Sequence, residues 1–579
     1  MSDPAIVRRD VPAHGDLPAD LHRVVKRVLA ARGVLTAADL DTSLAGLHRT
    51  DGLSGIDAAV TLLEAAVVHD SRILIVADFD ADGATSCAVA MRALAAMGAT
   101  QVSYIVPNRF EYGYGLTPPI VDLARTRDPR LLITVDNGIS SIDGVAAARA
   151  AGIDVLITDH HLPGAQMPNA NAIVNPNVPG DPFPSKSLAG VGVIFYVMLA
   201  LRQRLKQTGW FASAGIEYPN LAKLLDLVAL GTIADVVPLD QNNRRLVAQG
   251  IARIRAGQAQ PGVTALLKVA GRDPARVTSV DLAFAVAPRL NAAGRLADMS
   301  LGIECLIGGS PSACARSASA LDDLNRERRE IESEMKTQAE AIVEAMQLDD
   351  ADGLRVGLCL SDAQWHQGVV GIIASRIKER YHRPVIAFAP AGGDQLKGSG
   401  RSIPGVHLRD ALDAIAAQNP GLLSKFGGHA MAAGLTLAAD AFDDFSRAFD
   451  TEIRRQLGGR GINPEIMSDG ELDDDDFCLA LAEQLAEAAP WGQQFPEPLF
   501  DGAFIIRNKR VVGEAHVRLE LQPLGGTTII NAIAFGAADE QWAGASEAIY
   551  AAYRLAVNDY RGTRSLQLII THARHLAEN

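Results

Sequence analysis

Three aspartates stand at alternate positions directly after a short apolar run, where they could bind cations. The run is Ile73–Ala77, the acids are Asp78, Asp80 and Asp82, and Gly83 follows them. Ionised carboxylates gathered at a partly buried place repel one another strongly unless cations neutralise them. A single motif of this kind also occurs in solvated turns and calcium loops, so the stretch needs partners elsewhere in the chain.

Further acids and histidines follow three other predicted elements. They are Asp136 after the run Leu131–Val135, the triplet Asp159, His160 and His161 after Val155–Thr158, and Asp235 at the end of an amphipathic helical segment. Taken singly, such residues are often helix caps or turn formers. Their shared position, at the ends of elements in one βα array, favours a common site.

The elements that must position these residues are predicted to be alternating strands and helices. Apolar runs of strand length recur at Ile73–Ala77, Val102–Val106, Leu131–Val135, Val155–Thr158 and Ala172–Val174, with Ala-rich intervals between several of them. Continuous apolar strands alternating with helices predict a parallel sheet buried on both faces. Ligands of such sheets bind outside the carboxyl ends of the strands. The acids and histidines should therefore meet at one edge.

Mixed carboxylate and imidazole groups suit Mn²⁺ or Mg²⁺. About six ligands are enough for two ions roughly 3.5–4 Å apart, which activate a water and clamp an in-line phosphoryl displacement. The sequence has no Walker A loop, no complete dinucleotide fingerprint and no nucleophile elbow at a strand end. We therefore expect a two-metal phosphoester hydrolase, and not hydride or acyl transfer.

The four motifs, in this order, resemble the DHH phosphoesterase superfamily, which is named for its Asp-His-His signature. Three downstream segments, Gly368–Ile377, Lys397–Ile403 and Lys425–Gly434, are similar to its DHHA1 companion domain. The resemblance covers roughly residues 70–579, and no motif residue departs from the pattern.

The resemblance implies two ions, Mn²⁺ or Mg²⁺, that share the carboxylate of Asp136. The ligand sets are Asp78, Asp80 and Asp136 for one ion, and Asp82, Asp136, His160 and Asp235 for the other. The implied catalytic set is Asp136, Asp159, His160 and His161. In it, His161 faces the scissile phosphate and Asp159 orients its neighbours.

Candidate substrate contacts in the first domain come from two segments. Arg109, Tyr112 and Tyr114 follow a strand at the same sheet edge and combine a phosphate-binding group with aromatic rings. Arg289 and Arg295 lie in a stretch rich in glycine and alanine, which we expect to be a turn that approaches phosphate closely. The alternatives are an ordinary loop with core aromatics and a surface salt bridge.

The companion domain offers a second set of candidate contacts. Ser375 and Arg376 are expected on a helix, and Ser399 and Arg401 in a glycine-flanked loop that could cradle a phosphate. His429, after two glycines, could donate to a phosphate or sit in the core.

The chain of 579 residues is too long for one core, and we expect an α/β protein of several domains. The predicted parts are a helical extension (1–70), a parallel-sheet DHH domain (71–310), a long connector helix (311–348), a second α/β domain of DHHA1 type (349–455), and an acidic linker with an OB-like β-barrel (456–579). The barrel rests on five strand candidates in about 80 residues. Its tyrosines, Tyr550, Tyr553 and Tyr560, are candidate stacking groups, and Asp473–Asp476 is expected to be solvated.

The function that the resemblance implies is 5′→3′ hydrolysis of single-stranded DNA to mononucleotides, in DNA repair and recombination. One alternative is an oligoribonuclease or cyclic-dinucleotide phosphodiesterase of DHH type, which would not need the barrel and the N-terminal extension. Another is a non-catalytic scaffold, but an idle site has no need of mutually repelling carboxylates. The net charge of −14 decides nothing, because nucleic acid binding depends on a local patch.

The expected partner is single-stranded DNA, with single-strand-binding protein and repair or recombination helicases as protein partners. We expect a monomer. Five scattered cysteines fit a reducing cytoplasm. The N-terminus lacks the apolar core of a signal peptide, and no apolar stretch approaches the ~18 residues of a membrane span.

Overall fold

The computed structural model describes residues 4–13, 16–108, 111–349, 355–462, 464–513, 515–545, 547–560 and 562–576. The chain forms two compact units, Met1–Val7 with Leu324–Ile466 and Arg8–Asp323 with Met467–Asn579. Within the described residues, every helix is too short or too polar to cross a membrane.

The N-terminal region begins with one strand and two helices, separated by short 3-10 turns. The elements are β1 (Ala5–Arg8), α1 (Arg23–Ala30) and α2 (Ile56–Val68). Helix α1 buries Val24, Val25, Val28 and Leu29 along one face, as its apolar spacing requires.

A five-stranded, fully parallel sheet follows, in the order β3-β2-β4-β5-β6. The strands are β2 (Ile73–Ala77), β3 (Val102–Ile105), β4 (Leu131–Val135), β5 (Asp154–Thr158) and β6 (Ala172–Val174). Every residue of β2 and β4 is buried, because helices cover both faces. The helices between these strands are α3 (Ala81–Ala96), α4 (Pro118–Arg125) and α5 (Ile142–Ala150). The predicted parallel sheet is confirmed.

Helices make up the rest of this domain. They are α6 (Gly190–Gln207), α7 (Trp210–Ala214), α8 (Leu225–Ala234), α9 (Gln241–Arg255), α10 (Pro261–Val269), α11 (Ser279–Asp281), α12 (Ala287–Leu296) and α13 (Ser300–Ile307). A π-helical turn, Leu282–Val286, leads into α12. The stretch that contains Arg289 and Arg295 is thus a helix and not the turn we expected. Pro288 in its first turn is compatible with helix initiation, and its alanines favour the helix.

The long helix is α14 (Pro311–Asp349), and it is followed by a mixed α/β domain. The strands of that domain are β7 (Leu358–Ser361), β8 (Val385–Pro390), β9 (Gln395–Arg401), β10 (Lys425–Gly428) and β11 (Ala432–Ala438), in the order β10-β11-β9-β8-β7. Its helices are α15 (Val370–Tyr381), α16 (Leu408–Gln418) and α17 (Phe442–Leu457). Only β7 and β8 pair in parallel among the described strands of this sheet.

Ser399 and Arg401 lie on strand β9 and not in the loop that the glycines suggested. The glycines of this strand serve packing. A Cβ at Gly398 would lie 2.5 Å from the Phe388 ring, and one at Gly400 would lie 2.6 Å from the Leu408 side chain. Close packing against large side chains, and not a turn, explains the glycine pattern.

The C-terminal part is a closed five-stranded barrel in the order β13-β14-β15-β17-β16, as predicted. After β12 (Glu465–Ser468) and α18 (Leu479–Glu487), its elements are β13 (Phe500–Val512), β14 (His516–Pro523), β15 (Ile530–Ala534), α19 (Gln541–Ala545), β16 (Ala548–Tyr560) and β17 (Thr563–His575). Tyr553 is buried in the barrel core, and the Tyr550 hydroxyl donates to Asp501. The buried Tyr553 is not placed as the stacking group that we expected, stacking by the half-buried Tyr550 stays a prediction, and the side chain of Tyr560 lies outside the described residues.

The acidic stretch before the barrel is solvated only in part, because Asp473 and Asp475 are exposed whereas Asp474 and Asp476 bond other parts of the protein. Asp476 is buried and receives a hydrogen bond of 2.6 Å from Arg23 on α1, while Asp474 accepts the backbone N–H groups of Thr527 and Thr528. Asp469 pairs with Arg32 at 2.7 Å, with both side chains almost fully buried. The acids therefore fasten the N-terminal helix and a barrel loop, a role that only the fold reveals.

We expect Asp476→Ala to destabilise the protein by about 1–3 kcal/mol, because it removes the acceptor of the Asp473 amide and one of the two carboxylates that Arg23 bonds. Chemical denaturation followed by circular dichroism measures the change. Asp475→Ala is the matched control, since this neighbouring acid is exposed, and it should shift stability by less than about 0.5 kcal/mol. Equal effects of the two substitutions would contradict the fastening role.

Candidate metal centre

The site lies where the strand order of the parallel sheet reverses. The chain passes from β2 outward to β3 and then returns to place β4 on the other side of β2. Such a switch point opens a crevice at the carboxyl ends of the two strands. Asp78 follows β2 and Asp136 follows β4 at this point. The Asn137 amide donates to the carbonyls of Val76 and Val135 and so ties the two strand ends together.

The aspartate-rich loop after β2 is shaped by its own side chains. Asp80 is the N-cap of α3, and its carboxylate accepts the amides of Asp82 and Gly83 at 2.9 and 3.0 Å. A Cβ at Gly83 would lie 2.5 Å from the Asp78 carbonyl oxygen, so only glycine fits there. The Asn291 side chain accepts the Ala81 amide at 2.8 Å and supports the loop from α12.

Asp82 is buried and is held by the beginning of α6. Its two carboxylate oxygens accept the amides of Gly190 and Val191 at 2.6 and 2.9 Å. The N-terminus of a helix favours an anion in this position. Each oxygen keeps a further lone pair for another ligand.

Asp136 is buried and has a left-handed backbone, with φ of 63°. Aspartate and asparagine tolerate this conformation better than most residues. The α6 helix approaches its side chain closely, since a Cβ at Gly190 would lie 2.6 Å from Asp136 Oδ1. The glycine thus leaves room for the carboxylate at the switch point.

The Asp159 carboxylate positions the histidine pair after β5. One oxygen accepts the amides of His160 and His161 and lies 2.7 Å from His161 Nδ1, while the other accepts the Ile139 amide. Asn175 and Asn177 donate to the carbonyls of His161 and His160. These contacts hold both histidines in place after β5, and the orienting role of Asp159 in catalysis stays a prediction.

The side chains at this edge form three overlapping groups that could hold metal ions. In each group, one ligand atom per residue lies within 4.8 Å of the others. The groups are Asp78, Asp80 and Asp136; Asp82, His160 and Asp235; and Asp136, His160 and His161. His160 Nε2 links them, because it lies 3.1 Å from Asp136 Oδ1 and 3.3 Å from Asp235 Oδ2. All predicted metal ligands thus lie together.

The electrostatics of the cluster fit bound cations. Burial and the neighbouring acids raise the pKa of Asp136 and of Asp235 well above the ordinary range, and burial and Asp80 raise the pKa of Asp82 to about 7. No residue that the structure describes donates a hydrogen bond to Asp136 Oδ1 or Asp235 Oδ2, although both atoms are buried. Hard divalent cations satisfy such oxygens and remove the repulsion.

His161 differs from these acids, because its surroundings favour the charged form of its side chain. Burial lowers its pKa, but the hydrogen bond and the charge of Asp159 outweigh burial, and the pKa rises to about 9. The Tyr114 hydroxyl lies 3.3 Å from His161 Nδ1 and 3.3 Å from the Asp136 carbonyl oxygen. The half-exposed Tyr114 ring therefore borders the cluster.

The other predicted substrate contacts of this unit are more scattered. Arg109 lies outside the described residues. Tyr112 packs against the core beside the sheet. Arg289 is buried and bonds Asp322 at 2.8 Å and the Ala285 carbonyl, so it forms a buried ion pair and not the surface salt bridge considered as the alternative. Arg295 lies near the end of α12, the helix that also carries Asn291. A phosphate contact of these residues stays a prediction.

The five predicted contacts of the companion domain belong to the other unit. Helix α15 carries Ser375 and Arg376, and Arg376 bonds Glu332 of α14 at 2.8 Å. A Cβ at Gly371 would lie 2.9 Å from Ser399 Oγ and 3.1 Å from Arg401 Nη2, so α15 packs directly over these side chains. The exposed His429 lies in the turn between β10 and β11.

Sequence reasoning did not identify Asn137, Asn175, Asn177, Gly190 and Asn291 as parts of the site. Asn137 stands next to Asp136, and its position after a strand was a usable signal. The others act through contacts between residues far apart in sequence, and no local pattern marks them.

We expect Asp159→Asn to reduce kcat about 10–100-fold, because an amide cannot accept at both oxygens and would face the Ile139 amide or His161 with its own donors. The His161 pKa should fall from about 9 towards its ordinary value, which NMR titration of the ring measures. Asp154→Asn, at the other end of β5, is the control. An unchanged His161 pKa in Asp159→Asn would contradict the orienting role.

Comparisons with known proteins agree with this geometry. The family described as "DHH family, N-terminal domain" matches residues 72–232, the "DHHA1 domain" matches 353–455, and the "RecJ OB domain" matches 468–572. The fold and the carboxylate–histidine edge thus define a DHH-type phosphoesterase.

Full-length relatives show which family of DHH-type phosphoesterases the chain belongs to. The chain is 52% identical over 567 residues to the single-stranded-DNA-specific exonuclease RecJ of Dickeya dadantii, with 98% of both chains covered. It is 51% identical to the RecJ of Escherichia coli, covering 97% of this chain and 98% of the relative. The chain belongs to the RecJ family.

A solved structure agrees over almost the whole chain. The crystal structure of RecJ from Thermus thermophilus in complex with Mn²⁺ has a TM-score of 0.79 at 29% identity and covers 99% of this chain and 80% of that chain. A second structure of the same protein, in complex with Mg²⁺, has a TM-score of 0.74 at 28% identity and covers 99% of this chain and 79% of that chain.

Proposed function

We propose that the chain is a two-metal exonuclease that hydrolyses single-stranded DNA from the 5′ end to mononucleotides. The observation that carries this proposal is the set of three overlapping carboxylate–histidine groups at the switch point of the sheet. Substrate and metal dependence are supported by membership of the RecJ family and by its Mn²⁺- and Mg²⁺-bound structures. The 5′→3′ direction rests on the family resemblance alone.

The two ions would be Mn²⁺ or Mg²⁺, held by the carboxylates and by His160. Asp78, Asp80 and Asp136 would hold one ion, and Asp82, His160 and Asp235 would hold the other together with the shared Asp136. When bound, such ions lower the pKa of a water and stabilise the charge of an in-line displacement at phosphorus. Fixed by the α6 amides, Asp82 cannot rotate away from the cluster.

His161 would act on the scissile phosphate. Asp159 fixes Nδ1 of the ring at 2.7 Å, and Nε2, which lies 3.4 Å from the Tyr114 hydroxyl oxygen, would donate to a phosphate oxygen or to the departing oxygen. The protonated ring adds a positive charge beside the phosphate. Asp159 would thus be a positioning residue that keeps His161 charged and oriented.

The substrate strand would be held by arginines, serines and aromatic rings. We retain Arg109, Tyr112, Tyr114, Arg289 and Arg295 as proposed contacts of the DHH domain. The proposed contacts of the DHHA1 domain are Ser375, Arg376, Ser399, Arg401 and His429. Phosphate recognition by arginine and stacking on rings suit a single strand without sequence preference.

The alternative, an oligoribonuclease or cyclic-dinucleotide phosphodiesterase, is not favoured. The match to single-stranded-DNA-specific exonucleases covers nearly the whole chain, including the barrel and the N-terminal region. Those parts are the ones that a short substrate would not require.

We also propose a division of labour among the predicted domains. Residues 71–310 would carry the metal chemistry, 349–455 would bind the strand, and the barrel in 456–579 would bind DNA or partner proteins. Single-strand-binding protein and repair or recombination helicases are the proposed partners of a monomer. All five cysteines are free, which supports work in the cytoplasm.

The test is digestion of end-labelled single-stranded DNA with either terminus blocked by a nuclease-resistant linkage. Release of labelled mononucleotides that stops only with a blocked 5′ end would support the proposal. Digestion that stops only with a blocked 3′ end would overturn the direction. A preference for dinucleotides over long strands would promote the alternative.

A further inference from the structure

Two exposed aliphatic side chains directly follow residues of the metal centre in the chain. Leu162 follows His161 and is 60% exposed, while Val236 follows Asp235 and is 61% exposed. Adjacent Cα atoms are about 3.8 Å apart, so both residues start within one residue of the cluster. The linked residues are close too, because Asp235 Oδ2 lies 3.3 Å from the Nε2 atom of His160, two positions before Leu162.

Val236 is an unusual residue for its position. It has φ of 60° and is the one β-branched residue with positive φ among the described residues. A valine is strained in this conformation, which glycine or asparagine adopts readily. Because the side chain is mostly exposed, burial does not compensate for the strain. Neither packing nor backbone geometry therefore explains an aliphatic group there, and strain of this kind is found at functional sites.

An aromatic ring also lies beside the metal centre. Tyr114 is 49% exposed, and its ring lies 5.8 Å from that of His161 in an edge-on arrangement. Tyr114 thus contacts a residue of the charged centre, and the exposed Leu162 and Val236 each directly follow one. Scattered apolar side chains on a surface are common, but two of these directly follow residues of the metal centre and the third contacts His161.

We propose that Leu162 and Val236 form an apolar rim that binds the nucleoside attached to the scissile phosphate. This inference rests on the proposed function. Once a phosphate lies over the cluster, its base and sugar must extend to the surrounding surface. Aliphatic contact recognises the flat face that all four bases share and reads no hydrogen-bonding edge, as an exonuclease without sequence preference requires.

The test compares ligands with and without a base. Binding of thymidine 5′-monophosphate and of 2-deoxyribose 5-phosphate to the Mn²⁺-loaded full chain is measured by calorimetry. The wild type should bind the nucleotide about tenfold more tightly than the sugar phosphate. Leu162→Ser and Val236→Asn should each reduce this ratio about threefold or more, while Leu162→Met and Val236→Ile should keep it.

Measurements of thermal stability and of Mn²⁺ binding distinguish base recognition by Leu162 and Val236 from a purely structural role of these residues. Val236→Asn relieves the backbone strain, so its thermal midpoint should stay the same or rise while base discrimination falls. Leu123→Ser, exposed on α4, is the control and should keep the ratio. Loss of Mn²⁺ binding in the Leu162 and Val236 variants, or an unchanged ratio in both, would overturn the rim.

The same comparison with strands that end in a normal or an abasic nucleotide tests the rim during turnover. The wild type should hydrolyse the abasic end more slowly, through a higher KM, and the polar variants should lose this difference. A wild type that binds the mononucleotide with base discrimination but digests no strand would contradict the proposed function and leave the rim supported.

Discussion

Replacing Asp136 by Asn is expected to lower the rate of single-strand digestion by about 10³-fold or more while making the metal-free protein more stable. The activity is lost because the amide removes the charge that both proposed metal sites share. Stability rises because burial and four neighbouring acids disfavour the ionised carboxylate. Asparagine also tolerates the positive φ of this position, so the backbone should not change.

Two measurements on the same variant test this expectation. Steady-state digestion of end-labelled DNA gives the activity, and differential scanning calorimetry in chelator gives the thermal midpoint. The midpoint should rise by about 1 °C for each kcal/mol of relieved repulsion, because the entropy of unfolding grows with chain length. Asp57→Asn, exposed on α2, is the matched control and should change neither quantity. Full activity in Asp136→Asn, or a lowered midpoint in chelator, would refute the shared-carboxylate arrangement.

Removal of divalent ions is expected to abolish digestion, and addition of Mn²⁺ or Mg²⁺ is expected to restore it. The cluster should be the main source of metal-dependent stability, because the cations neutralise its carboxylates. At a concentration of 100 Kd, each site should add about 2.7 kcal/mol to the free energy of unfolding. Activity that survives exhaustive chelation would exclude the two-metal function.

Calorimetric stoichiometry can resolve the two halves of the cluster. We expect two Mn²⁺ ions per wild-type chain, and one in Asp78→Asn or Asp235→Asn, because these residues belong to different groups. Asp136→Asn should weaken both sites. A single ion in the wild type, or equal loss of both ions in the Asp78 and Asp235 variants, would show that the groups do not act as separate sites.

Much of the candidate site could be predicted because its ligands follow strands. Parallel strands bring their carboxyl ends to one edge, so Asp78, Asp136 and His160 had to lie close together once the sheet was recognised. The five barrel strands could also be predicted, because the alternation of apolar and polar residues and the turn residues between strands are local signals. Asp235 was less certain from pattern alone, because it ends a helix and depends on where α8 packs.

Predictions that depended on glycine were less successful. The glycines at 398 and 400 indicated a phosphate loop, but they lie on β9 and make room for Phe388 and Leu408. We predicted a turn in the stretch from Ala287 to Leu296, but the structure shows a helix there. Glycine marks both turns and close packing, and only the neighbouring elements tell which applies.

The sequence by itself determined the chemistry of this protein: which acids and histidines are available, that they end neighbouring strands, and that their mutual repulsion calls for cations. Only the tertiary structure decided how they are held. The α6 amides fix Asp82, Asp159 holds the His161 ring, and Asp476 and Asp474 bind the N-terminal helix and a barrel loop. These contacts join residues far apart in the chain, and a local pattern carries no information about which distant group will arrive beside it.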